Sequence, residues 1–253
     1  MAEQRLFVAN HLDAAEEIML GHAQTHYLLH VLRLSAGSRL LVFDGESGEW
    51  RAEIVAAKKS GCSIRLIEKV REQTAQQDIH YAFAPLKQGR LDYMVQKAVE
   101  MGVSMLQPVI TAHTAVSRLN VERMRANAIE AAEQCGILAL PEIKAPVKLD
   151  ALLTSCKQDR TLVFCDERAE TSSPLEALET LKGRKVTALL GPEGGFSLSE
   201  RGELLSKSFV CPISLGPRVM RADTAAVAVL ALLNAVLGDW ANRKRVSGSR
   251  HEP

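Results

Sequence analysis

The hydrophobic period changes between Arg71 and Asp78, and that change constrains the fold more than any other feature of the chain. Upstream, "RLLVFDG" and "EWRAEIVAA" flank the polar turn "DGESGE", and "CSIRLIEKV" follows "KKSG". Alternation at period two, with Trp50, Ala52 and Ile54 on one side and Arg51 and Glu53 on the other, is the pattern of a β-meander with one buried face. Ahead of it, "AQTHYLLHVLRL" sets Tyr27, Leu28, Val31 and Leu32 at helical spacing. Residues 1–72 therefore read as a small β-rich unit carrying one helix. The stretch "REQTAQQD" is polar and without period, and marks a domain boundary.

From residue 78 onward short apolar runs alternate with helical patterns, which specifies an α/β domain with a largely parallel sheet. "IHYAFAPL" and "MLQPVI" are strands. "GRLDYMVQKAVEMGV" is a helix with Leu91, Met94, Val95, Ala98 and Met101 on one face. "NVERMRANAIEAAEQCG" is another, which Asn120 can cap and Gly136 can end. "RTLVFCDE", "VTALLG" and "FVCPISLG" are further strands, and "RADTAAVAVLALLNAVLGDW" is the last helix. That helix is apolar nearly all round, so it is buried on several sides, inside the domain or in a subunit contact. The domain is expected to span 78–245, and the polar residues 246–253 to form a mobile tail.

Two strand-end loops stand out. In "LLGPEGGFSLSE" the strand ends, "GPEGG" turns, and "SLSE" supplies a capping box between Ser197 and Glu200. Gly194 and Gly195 allow positive φ and close approach of backbone to a ligand, and Pro192 pre-sets the turn. The second loop, "LGPRVMRADTA", leads into the final helix. Open α/β sheets bind ligands at such carboxyl ends. Neither G-x-G-x-x-G nor G-x-x-x-x-G-K-[ST] spacing occurs, which disfavours a dinucleotide or nucleoside-triphosphate enzyme.

Charge narrows the partners little. The net charge of the 253 residues is +1, so any nucleic acid is met by a local patch. The run from Arg51 to Arg71, with Arg51, Lys58, Lys59, Arg65, Lys69 and Arg71 against Glu53 and Glu68, is the candidate RNA surface, or else an ordinary solvated strand face. Five scattered cysteines without C-x-x-C fit neither a disulfide framework nor a zinc finger. With no signal-peptide pattern and no apolar run of the roughly 20 residues a bilayer needs, the expected compartment is the cytoplasm. His22, His26 and His30 share a spacing of four, but without a cysteine or an H-E-x-x-H companion no metal site is expected.

"GPEGG" followed by "SLGPRVMRADTA", with "YMVQKAVEMGV" and "EAAEQCG" upstream, resembles the SPOUT class of S-adenosylmethionine-dependent RNA methyltransferases. Within that class the chain is similar to the family that methylates N3 of a uridine in 16S ribosomal RNA. "RLFVANHL" and "HYLLHVLRLSAGSRLLVFDGESGEWRAEI" extend the likeness over almost the whole chain. The resemblance implies a PUA-like N-terminal β-barrel that docks RNA and an α/β domain tied in a deep trefoil knot. It also implies a homodimer acting on the assembled small subunit, with S-adenosylmethionine as methyl donor and no metal. Cofactor contacts carried over are Leu190, Gly191, Pro192, Gly195, Leu215, Gly216, Val219 and Met220. One departure is the "ILAL" of Ile137–Leu140, where many relatives have an arginine after "EQCG".

Methyl transfer from a sulfonium rests mainly on holding donor and nucleophile in line, and effective molarities assign roughly 7 to 11 kcal/mol to such positioning. Uridine N3 must lose a proton, and negative charge then spreads to the flanking carbonyl oxygens. Arg221 is the candidate cation for those oxygens or for a phosphate, or else an ion-pair partner of Asp223 or a neighbouring carboxylate. Glu193 is the candidate base, or a solvated turn carboxylate. Thr224 either hydrogen-bonds the donor or caps the last helix. The competing reading is a non-catalytic RNA-binding assembly factor of the same fold, which would not bind the donor.

Overall fold

The computed structural model describes residues 3–14, 17–58, 61–116, 118–156, 160–170 and 173–240. The expected tail at 246–253, the end of the second domain at 245, and Lys59 lie outside the described residues. The chain divides into two compact units, Met1–Gln76 with Arg125–Leu140, and Gln77–Met124 with Pro141–Pro253.

In the first unit, β1 (Arg5–Phe7), β2 (Glu17–Met19), β3 (Arg39–Phe43), β4 (Glu49–Lys58) and β5 (Gly61–Arg71) form a sheet in the order β1-β3-β4-β5-β2. The meander pairs antiparallel as its period predicts, with Trp50, Ala52 and Ile54 buried on one face of β4. The helix between β2 and β3 departs from expectation. α1 (His22–His26) continues as a π-helical turn over Tyr27–Val31. The wider turn buries Leu28 completely but leaves Val31 57% exposed, so the 3.6-residue face does not hold to its end.

A charge cluster around the buried Glu49 completes this unit. Glu49, 2% exposed, accepts from Arg5 Nε at 2.6 Å and from Arg71 Nη1 at 3.4 Å. The same guanidiniums donate to the carbonyls that end α3 (Val121–Cys135), Arg5 to Glu133 at 2.9 Å and Ile137 at 3.1 Å, and Arg71 to Gly136 at 3.0 Å. They supply the cationic cap that a helix carboxyl terminus favours. Gly136 terminates α3 at φ 70°, as expected of a helix-ending glycine. Leu138, within the "ILAL" departure, is 1% exposed and serves packing.

The second unit is built on a sheet that is parallel throughout, of β6 (Ile79–Phe83), β7 (Met105–Ile110), β8 (Glu142–Ile143), β9 (Val147–Lys148), β10 (Arg160–Cys165), β11 (Lys185–Leu190) and β12 (Val210–Ile213). Strand order is β12-β10-β11-β6-β7-β8, with β9 also on β7. The remaining helices are α2 (Gln88–Glu100), α4 (Leu149–Ser155), α5 (Pro174–Glu179), α6 (Leu198–Leu205) and α7 (Ala222–Val236). The order of strands reverses around β10 and β11, which brings the carboxyl ends of β10, β11 and β12 side by side. A crevice at such a reversal is where open α/β sheets hold ligands.

Candidate functional site

A cavity of about 360 Å³ opens at those three strand ends, within the size range of small-ligand pockets. Its wall comes from Phe164–Arg168 after β10, Leu190–Phe196 after β11, and Leu215, Gly216 and Arg218–Ala222 leading into α7. The structure thus brings together Leu190, Gly191, Pro192, Glu193, Gly194, Gly195, Leu215, Gly216, Val219, Met220 and Arg221. Thr224 is not in the wall; it is exposed on the first turn of α7, where Arg221 is the N-cap residue and no side chain caps the helix.

The glycines have separate tasks. Gly195 takes φ 68° and Gly216 φ 109°, and a Cβ built on either would meet nothing within 4 Å, so both present bare backbone to open space. At Gly191 a Cβ would lie 2.6 Å from the Phe196 ring, which itself packs edge-on against Phe164 with centroids 5.1 Å apart. Gly194 corrects the sequence expectation, because its φ is not positive. Packing there is close, with a Cβ falling 3.3 Å from Cβ of His113. The capping box forms as read: Ser197 N–H donates to Glu200 Oε2 at 2.9 Å and Glu200 N–H to Ser197 Oγ at 3.2 Å.

Charge at the mouth is uneven. Glu193 is neither free nor in the cavity alone; its Oε1 accepts from Arg90 Nη1 at 3.3 Å. Asp166, 6% exposed, holds Arg201 through two guanidinium nitrogens at 2.9 Å and so ties the end of β10 to α6. Arg168, Arg218 and Arg221 are exposed at the rim, and their side chains have no ion-pair or hydrogen-bond partner among the described residues. The Arg221–Asp223 pair weighed from sequence is not formed; the Asp223 carboxylate accepts from Thr224 N–H at 3.0 Å. Burial pushes the Cys165 thiol up to about 12, so this wall residue is protonated and no nucleophile.

Sequence reasoning missed Arg90, Arg168, Arg201 and His113. None lies in a motif, and each is recruited by folding from a different strand end or helix. Most arginines and lysines of the expected RNA run on β4 and β5 carry ion pairs. Arg51 pairs with Glu3 and Glu68, Arg65 with Glu17 at 3.5 Å, Lys69 with Glu72 at 3.3 Å, and Arg71 with Glu49. Lys58 remains exposed at the end of β4. The rings of His26 and His30 lie tilted at 41° with centroids 5.1 Å apart, and among the described residues no group of three His, Cys, Asp or Glu is arranged to hold a metal ion. No helix among them is long and apolar enough to cross a membrane.

Comparisons with known proteins agree with this architecture. A family model described as an RNA methyltransferase domain matches residues 72–234, and one described as an RNA methyltransferase PUA domain matches residues 20–67. The chain is similar to the ribosomal RNA small subunit methyltransferase E of Rickettsia conorii, 30% identical over 233 residues, covering 91% of this chain and 95% of that protein. It is 32% identical over 240 residues to the protein of that name from Synechocystis, covering 92% and 78%. Among solved structures, a putative methyltransferase from Legionella pneumophila in complex with bound S-adenosylmethionine superposes with a TM-score of 0.82 at 28% identity, covering 93% of this chain and 98% of that one.

Proposed function

The chain belongs to the RNA methyltransferase family, with the family's PUA domain ahead of its methyltransferase domain, and from that premise we propose that it transfers a methyl group from S-adenosylmethionine to N3 of a uridine in 16S ribosomal RNA. The single observation that carries this reading is the cavity, which has bare glycine backbone in its wall and, at its rim, three guanidiniums unpaired among the described residues. The glycine wall suits a flat nucleoside, and the rim suits a polyanion. The relatives named for the small ribosomal subunit support the RNA, and the bound cofactor of the Legionella protein supports the donor.

The residues present fit the donor. Leu190, Gly191, Pro192, Gly195, Leu215, Gly216, Val219 and Met220 would hold it, with open space over Gly195 and Gly216 and the Phe196 ring behind Gly191. When bound, it supplies an electrophilic methyl on a sulfonium. The chain's own groups then have two tasks, orientation of the target base and management of its charge. Arg221, exposed and unpaired among the described residues, is available to the carbonyl oxygens that gain charge as N3 loses its proton. Glu193 is the candidate acceptor of that proton; Arg90 engages Oε1 and leaves Oε2 for it. Docking of RNA by the PUA domain, homodimer assembly, and threading of the last segments as a knot belong to the same reading. The half-buried apolar residues Val227 and Leu232 on α7 support the dimer.

The test is incubation with labelled S-adenosylmethionine and small ribosomal subunits from a strain lacking the modification, followed by nucleoside mapping. N3-methyluridine at one site is the expected product. Label elsewhere, or none from a chain that binds the donor, would sink the substrate assignment. A chain that does not bind the donor would instead be the non-catalytic assembly factor.

A further inference from the structure

The loop after β11 is braced from outside the cavity. The segment that follows β7 closes on itself: Thr111 N–H donates to Thr114 Oγ1 at 2.8 Å, Thr114 N–H to the Thr111 carbonyl at 3.1 Å, and the two hydroxyls lie 2.9 Å apart. Thr111 is 7% exposed, so the turn is anchored. It offers two groups to the neighbouring loop. Ala112 N–H donates to Glu200 Oε1 at 2.7 Å, the carboxylate whose other oxygen closes the capping box. His113 Nδ1 lies 3.1 Å from the carbonyl oxygens of both Gly194 and Gly195.

Carbonyl oxygens only accept, so Nδ1 carries the proton in both bonds. The neutral Nδ1–H tautomer and the imidazolium supply the same donor, and the bracing therefore holds in either protonation state. Two successive glycines lose more backbone freedom on ordering than any other pair of residues. A loop left unbraced would meet that cost when a ligand binds, whereas a loop already fixed would not. His113 is not in the cavity wall, so it acts on the ligand site only through the loop.

We infer that His113 is a positioning residue for donor binding, holding the Gly194 and Gly195 carbonyls through Nδ1 so that the glycine loop is ordered before the donor arrives. This rests on the donor assignment above. It is tested by calorimetric titration of the full chain and three variants with S-adenosylmethionine. His113→Ala removes this shared bond and weakens binding about tenfold, the upper end of the usual net worth of one hydrogen bond. His113→Asn places an amide N–H near the position of Nδ1 and restores most of the affinity. His113→Gln carries its amide one methylene farther, near the position of Nε2, and does not.

Equal affinity of wild type and His113→Ala overturns the inference while leaving the donor assignment intact. So does rescue by glutamine equal to that by asparagine, or no rescue by asparagine. A wild-type chain that fails to bind removes the donor assignment and this inference with it. The side chain is exposed, so the variants are expected to fold, and the asparagine variant reads the bond directly if the alanine variant loses structure.

Discussion

Arg221 is the residue on which the proposed chemistry turns. It stands at the N-cap of α7, exposed and without a neutralising carboxylate among the described residues. Replacing it by alanine is expected to lower kcat about a hundredfold or more, the usual cost of one group aimed at developing charge, with donor affinity little changed. Steady-state kinetics with small subunits, paired with donor titration, separate the two. Equal loss of both would assign Arg221 to the donor. At this scale the sequence was informative where the chemistry is local. The capping box at Ser197 and Glu200 and the helix-ending role of Gly136 follow from near neighbours in the chain. The Arg90 partner of Glu193 and the His113 behind Gly194 were invisible because each is separated from its partner by a whole β-strand and more. Gly194 illustrates the limit: what limits a side chain there is the close approach of His113, and a sequence shows only that a glycine is present.

α7 shows the same division within one element. Its apolar surface announces burial, and Val229, Leu230 and Leu233 are fully buried. Asn234, also fully buried, is the exception the pattern does not explain. Its Nδ2 donates to the Met101 carbonyl at 2.8 Å and the Leu230 carbonyl at 2.9 Å, and its Oδ1 accepts from Gln77 Nε2 at 2.8 Å. Removing a buried amide leaves its partners unsatisfied, so Asn234→Ala is expected to cost about 1–3 kcal/mol of stability. Urea unfolding followed by circular dichroism measures it. An unchanged midpoint would mean that water replaces the amide. The meander in the first unit was legible from period two, but its charge was not. The basic run from Arg51 to Arg71 looked like a polyanion surface because carboxylates that pair with it lie outside the run, Glu3 before β1, Glu17 on β2 and Glu49 at the start of β4.

At the scale of the whole molecule, stability is expected to fall in mild acid. His80 on β6 is pushed down to about 4, chiefly by burial and next by Arg160, against the opposing pull of Asp78 and Glu142; Lys144 adds to the lowering. The unfolded histidine takes a proton near its ordinary 6.5 and the folded one only near 4, so the unfolded chain binds the proton first as pH falls. The contribution is complete above about 6.5 and drains between about 6.5 and 4. Denaturant unfolding across that window should show a slope that His80→Gln reduces; an equal slope in both would place the acid sensitivity elsewhere. The sequence alone determined the β-meander, the alternating strands and helices after it, and the two glycine loops at strand ends, since these depend on periodicity and turn chemistry between near neighbours; it did not show that Arg125–Leu140, read as part of the second domain, belongs with the first unit. Tertiary structure decided which strand ends stand together, and so which arginines reach the cavity mouth, which carboxylates cancel the basic run, and which side chain braces the glycine loop. Strand order and long-range pairing depend on the packing of segments far apart in the chain, and no local pattern records them.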